Sequence, residues 1–121
     1  MPVPPNFDPA NCPIRDVLDR LGDQWSFLVL DALAGGTRRF NELLRMIGDI
    51  SKQMLSRTLR RLEEDGFVTR TIHAEVPPRV EYTLTGLGKS ILGPVDALVK
   101  WAEAHHDLIR ASRAAYGAAG K

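Results

Sequence analysis

Residues 51–66 read SKQMLSRTLRRLEEDG and residues 67–84 read FVTRTIHAEVPPRVEYTL, and these two runs decide the fold. The first is a helix with its own punctuation. Ser51 suits the N-cap, where a hydroxyl accepts a hydrogen bond from an orphan backbone N–H. Gly66 suits the position just past the last turn, where a left-handed conformation is needed. Leu55, Leu59 and Leu62 recur at i, i+4, i+7 and form one apolar stripe. At roughly 100° per residue, Gln53, Ser56, Arg57, Arg60 and Arg61 fall on the other side. Lys52, Arg57, Arg60 and Arg61 are basic, and no acid occurs between Ser51 and Leu62. The acids Glu63, Glu64 and Asp65 wait for the last turn, where the helix dipole disfavours them. That placement keeps negative charge off the first turns.

The second run supplies strand-forming residues: Val68, Thr69, Thr71 and Ile72, then Val80, Tyr82 and Thr83. Pro77 and Pro78 cannot donate to a ladder, so they belong at the hairpin tip or its edge. Arg79 follows at once, placed to reach a phosphate or a narrow minor groove from the tip of a ribbon. An ion pair of Arg79 with Glu75 or Glu81 is the competing reading. Upstream, TRRFNELLRMIGDI (residues 37–50) supplies a partner helix: Arg39–Phe40 as a short strand, Asn41 as cap, and Phe40, Leu43, Leu44 and Ile47 as the apolar side. Gly48, Asp49 and Ile50 then turn the chain into Ser51, a helix-turn-helix arrangement. Residues 37–61 hold seven basic side chains and two acids, a net of +5, in a chain of net +1. The order of elements predicts a mainly α (α+β) fold: a winged helix-turn-helix with a two-stranded β-wing and terminal dimerisation helices. Such a basic footprint points to double-stranded DNA as partner.

Three separated motifs now carry a resemblance: CPIRDVLDRLGDQWSFLVLDAL (12–33), RRFNELLRMIGDISKQMLSRTLRRLEEDGFVTR (38–70) and EVPPRVEYTLTGLGKSI (75–91). The chain resembles HxlR-type regulators, a bacterial winged helix-turn-helix group related to MarR proteins. The likeness spans nearly all of residues 12–106. It implies a homodimeric transcription factor of the bacterial cytoplasm, binding a (pseudo)palindromic operator. By that likeness Ser51, Lys52, Gln53, Ser56 and Arg57 face the major groove and Arg79 sits on the wing; Arg60 joins them from the helix geometry.

The 121 residues make one domain with a modest core, and 44% hydrophobic with 26% charged residues is an ordinary globular composition. No apolar run approaches the ~20 residues of a membrane-spanning helix, and the start, MPVPPNFDPAN, does not read as a secretory signal. Residues 1–10 are expected to be a loosely ordered arm, 11–116 the folded domain, and 117–121 a disordered tail. Pro13 opens the first helix at N1, with Val17, Leu18 and Leu21 on its apolar side. Asp23 caps a second helix carrying Trp25, Phe27, Leu28, Val29, Leu30 and Leu33, apolar on most sides and so central to the core. After Thr85 helix resumes to about Ala115, with a kink or break at Gly93–Pro94. Ile91, Val95, Leu98, Ala102, His105 and Ile109 are spaced 4, 3, 4, 3, 4, a heptad-like seam widened by Trp101 and Leu108. So small a subunit has little core left to cover this stripe. Ile91, Val95, Leu98, Trp101, Ala102 and His105 are therefore expected at a homodimer interface, together with the first helix.

Cys12 is the only cysteine, which excludes an intrachain disulfide or thiolate cluster. It stands at a helix N-terminus with Arg15 one turn away, an electropositive setting suited to a reactive thiol. In some members of the resembled family a cysteine here senses oxidants or electrophiles, and in others it is structural. His105 and His106 are adjacent and point ~100° apart, which makes them poor co-ligands, so no metal is expected. Gly86-x-Gly88 is too short for a phosphate loop, and no nucleophile has a base and orienter beside it. No cofactor and no catalytic activity are expected. The rival from another class is a winged helix whose basic face meets an acidic protein; a small-molecule effector in the dimer crevice is a third possibility.

Overall fold

The structure, a computed structural model, describes Asp8 and residues 11–120. The expected arm at residues 1–10 lies, Asp8 apart, outside the described residues. The order is α1 (Pro13–Leu21), α2 (Ser26–Leu33), β1 (Arg38–Arg39), α3 (Phe40–Ile47), α4 (Lys52–Glu64), β2 (Val68–His73), β3 (Arg79–Leu84), α5 (Gly86–Ser90) and α6 (Leu92–Ala119). Residues up to Ser90 form one compact unit and those from Ile91 another.

In the first unit α2 is the spine. Val29, Leu30 and Leu33 are buried, and α2 packs against α3, α4 and β3. The Leu55, Leu59 and Leu62 stripe of α4 is buried against it as the periodicity requires, with Leu21, Leu43, Val68 and Leu84 completing the core. Burying each such side chain contributes about 1.5–3 kcal/mol. Thr58, which the periodicity left out, is fully buried beside the leucines and its hydroxyl has no hydrogen-bond partner among the described residues.

Local chemistry sets the helix ends. Oδ1 of Asp23 accepts from the N–H groups of Trp25 and Ser26 at 2.7 and 2.8 Å, satisfying the first turn of α2. Ser51 caps α4 by accepting from the Met54 N–H at 3.0 Å. At the far end the Phe67 N–H reaches the Leu62 carbonyl and the Gly66 N–H reaches that of Glu63, with Gly66 at φ +84°, a Schellman termination. Gly48, at φ +90°, makes the turn between α3 and α4. Asn41 is not the cap of α3. β1 holds Arg39 extended against Glu81, so the helix starts at Phe40 and the Glu42 carboxylate accepts the Arg39 N–H at 2.9 Å.

The sheet has three antiparallel strands in the order β1-β3-β2: β2 and β3 form the expected two-stranded wing, and the expected short strand lies at Arg38–Arg39, one residue earlier than Arg39–Phe40, pairing with Tyr82 and Glu81. β2 and β3 run in register from Val68↔Leu84, buried at the base, to His73↔Arg79 at the outer end. Beyond the base the ribbon leaves the core, and Ile72 is exposed. Thr85 ties this base together: its hydroxyl donates to the Gly66 carbonyl at 2.6 Å and accepts the Gly88 N–H at 3.0 Å. Gly88 is there for space. A Cβ on it would stand 2.1 Å from the Phe67 carbonyl oxygen.

In the second unit, α6 runs 28 residues, about 42 Å at 1.5 Å per residue. The helix breaks at Ile91 rather than at Gly93–Pro94. Those two residues lie in the first turn of α6, where the N–H that proline lacks would have no helical partner anyway. The helix also passes the expected end near Ala115 and runs through part of the expected tail to Ala119, since four of residues 114–119 are alanine, the strongest helix former. Among the described residues no helix is long and apolar enough to cross a membrane.

Candidate nucleic-acid interface

The first two turns of α4 are bare. Ser51, Lys52, Gln53, Ser56, Arg57 and Arg60 are all exposed, and the last five line an open groove of about 470 Å3 floored by Phe40. Two rows at i, i+4 spacing, Gln53–Arg57 and Ser56–Arg60, therefore present two guanidinium groups, an amide and a hydroxyl side by side. Among the described residues no carboxylate pairs with Lys52, Arg57 or Arg60, whereas Arg20, Arg61, Arg70 and Arg79 all have acidic partners. The charge left uncompensated in this part of the fold is concentrated where a helix can enter a groove.

Arg61 continues the Gln53–Arg57 row toward the far end of α4, but there it is covered. Its guanidinium lies 3.4 Å from Asp23 Oδ2, half-buried under the α1–α2 corner. Burial alone would raise the Asp23 carboxyl. The Ser26 hydroxyl at 2.7 Å, the Trp25 and Ser26 N–H groups and Arg61 outweigh it and hold the carboxyl below its ordinary range. The acidic end of α4 is likewise paired, although Glu64 stays exposed. Arg20 Nε donates to Asp65 at 2.7 Å and its Nη2 to Glu64 at 3.1 Å, and Arg70 stands 3.6 Å from Glu63. Hydrogen bonding to Asp65 first, and then to Glu64, raises the Arg20 guanidinium above its ordinary value.

The wing departs from expectation in one respect. Arg79 is not at the tip, which is formed by residues 74–78, but opens β3 opposite His73. Its Nη2 lies 3.2 Å from Glu75 and its Nε 3.8 Å from Glu81, and Glu81 also contacts His73. The structure thus shows the ion-paired arrangement of Arg79. Two further cations escaped the reading of site residues. Arg39 and Arg45, exposed and without a carboxylate partner among the described residues, flank a groove of about 420 Å3 between α3 and the wing. Their only signal was membership of the +5 stretch. A neighbouring crevice joins Ser56 and Arg60 to Glu63, Arg70 and Tyr82, and burial pushes the Tyr82 phenol up.

The remaining expected residues divide. Cys12, at the N-cap of α1, is 2% exposed. On α6, Leu98, Trp101 and Ala102 are exposed, His105 is half-buried and Val95 is already buried in the single chain; Ile91, at the cap before the helix, is half-buried. Trp101 is 53% exposed although its ring stacks on His105 at 4.7 Å, and His105 Nδ1 lies 2.8 Å from the Trp101 carbonyl. On α1, Ile14, Val17 and Leu18 are exposed and only Leu21 is buried.

Comparison with known proteins agrees with this architecture. The HTH-type transcriptional regulator YtfH of Escherichia coli (strain K12) is 45% identical over 98 residues, 81% of this chain and 78% of that protein. The solved structure of the transcriptional regulator YtfH from Salmonella typhimurium superposes with a TM-score of 0.78 at 41% identity, covering 91% of this chain and 98% of the other. The redox regulator HypR in its reduced form superposes at 0.77 with 35% identity, over 82% and 98% of the two chains. The pattern of the HxlR-like helix-turn-helix family matches residues 20–109, three-quarters of the sequence and the whole reading helix with its wing, and this chain belongs to that family of transcriptional regulators.

Proposed function

We propose that this regulator is a cytoplasmic homodimer that binds a (pseudo)palindromic operator, each subunit laying the first turns of α4 in a major groove. The observation that carries the reading is the cluster of Lys52, Arg57 and Arg60, without acidic partners among the described residues and interleaved with Gln53 and Ser56. Arginine and glutamine there suit bidentate contacts to guanine and adenine edges, and Lys52 and Ser51 suit phosphates. Arg39 and Arg45 extend the positive surface along the flanking backbone. Exposed Leu98, Trp101 and Leu108 on α6 support a second subunit, which the two-fold symmetry of an operator also requires.

Selection from a random duplex library at near-physiological salt tests the reading. An enriched inverted repeat, with half-sites about one helical turn or a multiple apart, is expected. Binding that is salt-dependent but indifferent to sequence, or no binding in low salt, would favour an acidic protein as the partner of this face. A redox input of the kind HypR is named for has only Cys12 to act through. Comparing operator binding by the wild type and Cys12→Ser after peroxide or quinone treatment tests it.

A further inference from the structure

Lys52 and Glu64 at the two ends of α4 are about 18 Å apart. Gln53, Arg57, Arg61 and Glu64 stand at i, i+4, i+8, i+11, one stripe along the helix. Its N-terminal half is bare, whereas its C-terminal half is held by two residues that flank the corner between α1 and α2. Arg20, in the last turn of α1, forks between Asp65 at 2.7 Å and Glu64 at 3.1 Å. Asp23, three residues on, meets Arg61 at 3.4 Å and is itself fixed by the Trp25 and Ser26 N–H groups and the Ser26 hydroxyl. The corner between them is tight. Leu21 is buried, the Gly22 N–H reaches the Leu18 carbonyl at 2.7 Å, and a Cβ on Gly22 would stand 2.3 Å from that oxygen.

We propose that Arg20 and Asp23 are positioning residues for the reading helix, gripping its C-terminal half so that its N-terminal half meets DNA at a fixed tilt. The apolar stripe of Leu55, Leu59 and Leu62 gives α4 its attachment but little angular restraint, because burial is non-directional. A forked guanidinium is directional. Leverage makes the difference matter: a 5° tilt about the Glu64 end moves Lys52 by about 1.6 Å over a helix of this rise, beyond the tolerance of a bidentate contact to a base. Neither residue touches DNA, so their effect falls on sequence discrimination and not on general attraction to phosphate.

This inference rests on the DNA-reading proposal. Its test compares the wild type with Arg20→Gln, Asp23→Asn and the reversed pair Arg20→Glu/Asp65→Arg, all at a temperature where circular dichroism shows each fully folded. Asparagine keeps the Oδ1 acceptor for the α2 N–H groups and replaces Oδ2, which accepts from the Ser26 hydroxyl and faces Arg61, with a neutral amide nitrogen. Two affinities are measured at one salt concentration, for the selected operator and for random duplex. The ratio is expected to fall about tenfold in each single variant, random-duplex affinity to stay within twofold, and the reversed pair to recover most of the ratio. Variants that lose stability to urea yet keep the wild-type ratio would show the struts to be structural only and overturn the proposal. Equal loss on both duplexes would overturn it too. A wild-type chain that selects no sequence would defeat the parent reading and this one together, and is recognisable because the wild type itself fails.

Discussion

Replacing Asp23 with alanine removes four interactions at once, and the size of the loss follows from what each partner does afterwards. The two α2 N–H groups lose their acceptor, and loss of such a cap costs about 1 kcal/mol. The Ser26 hydroxyl, in a residue only 1% exposed, is left without its partner, worth about 1–2 kcal/mol. The Arg61 pair is partly solvated and adds at most about 0.5 kcal/mol. Because these groups are coupled, a total of about 2–3 kcal/mol is expected rather than the full sum. Asp23→Asn keeps the cap and should cost only about 1 kcal/mol. Urea unfolding at fixed protein concentration measures both, the concentration mattering because the proposed dimer would contribute to apparent stability. Acid supplies an independent check. The folded carboxyl lies below its ordinary 3.8, so its charge contributes stability above that value and loses it as pH falls through the folded value. The gap between wild type and Asp23→Asn should therefore hold at neutral pH and shrink below about pH 4. An alanine variant within 0.5 kcal/mol of wild type, or a gap that widens in acid, would refute the account.

Gly88→Ala should cost about 3 kcal/mol in the same urea assay, since its Cβ meets the Phe67 backbone oxygen at 2.1 Å and neither element can retreat freely; near-wild-type stability would contradict the packing at the wing base. Thr58→Val replaces a fully buried, unpartnered hydroxyl with a methyl of similar shape, so a gain of about 1 kcal/mol is expected, and a loss would reveal a partner for that oxygen. Arg57→Ala should lower operator affinity by about 1–3 kcal/mol and relax preference at one base position in a binding titration. Arg79→Ala, removing a cation already paired with Glu75 and Glu81, should change operator affinity less than about threefold; the reverse ranking of these two arginines would move the reading head to the wing.

Where the sequence was readable, the signal was periodic or chemical. The leucine stripe of α4, its Ser51 cap and its Gly66 termination follow from spacing and residue type, and each stands in the structure as expected. The misses share a different cause. A helical wheel projects along the axis, so it put Arg61 beside Arg57 although the two lie one turn apart and only Arg61 is covered by the α1–α2 corner. Nothing within residues 51–66 states where that corner will fall. The third strand was half seen, because two arginines carry no strand pattern and pair only because β3 offers its free edge. Gly93–Pro94 looked like a break because proline stops a helix already running; at the start of one it does no harm.

The distribution of pairing is what separates a reading surface from a merely charged one. In the first unit four arginines meet acids: Arg20 meets the end of α4, Arg61 the α1–α2 corner, Arg70 the last turn of α4, and Arg79 the wing acids Glu75 and Glu81, while Arg38 reaches the Ala32 carbonyl at 3.5 Å. Solvated pairs of this kind contribute little stability each, yet together they keep Glu63, Glu64, Asp65, Glu75 and Glu81 matched by nearby cations. What remains is a field dominated by Lys52, Arg57 and Arg60 on one side, with Arg39 and Arg45 beside them. A net charge of +1 over the whole chain is therefore no argument against a polyanionic partner. Electrostatic attraction acts over about a Debye length, ~8 Å in physiological salt, so a phosphate backbone approaching α4 meets Lys52, Arg57 and Arg60 directly, while Glu42 tempers Arg39 and Arg45 in the groove they share. Reversing one scaffold pair should leave that local field almost intact, whereas removing Arg57 or Arg60 should weaken it directly.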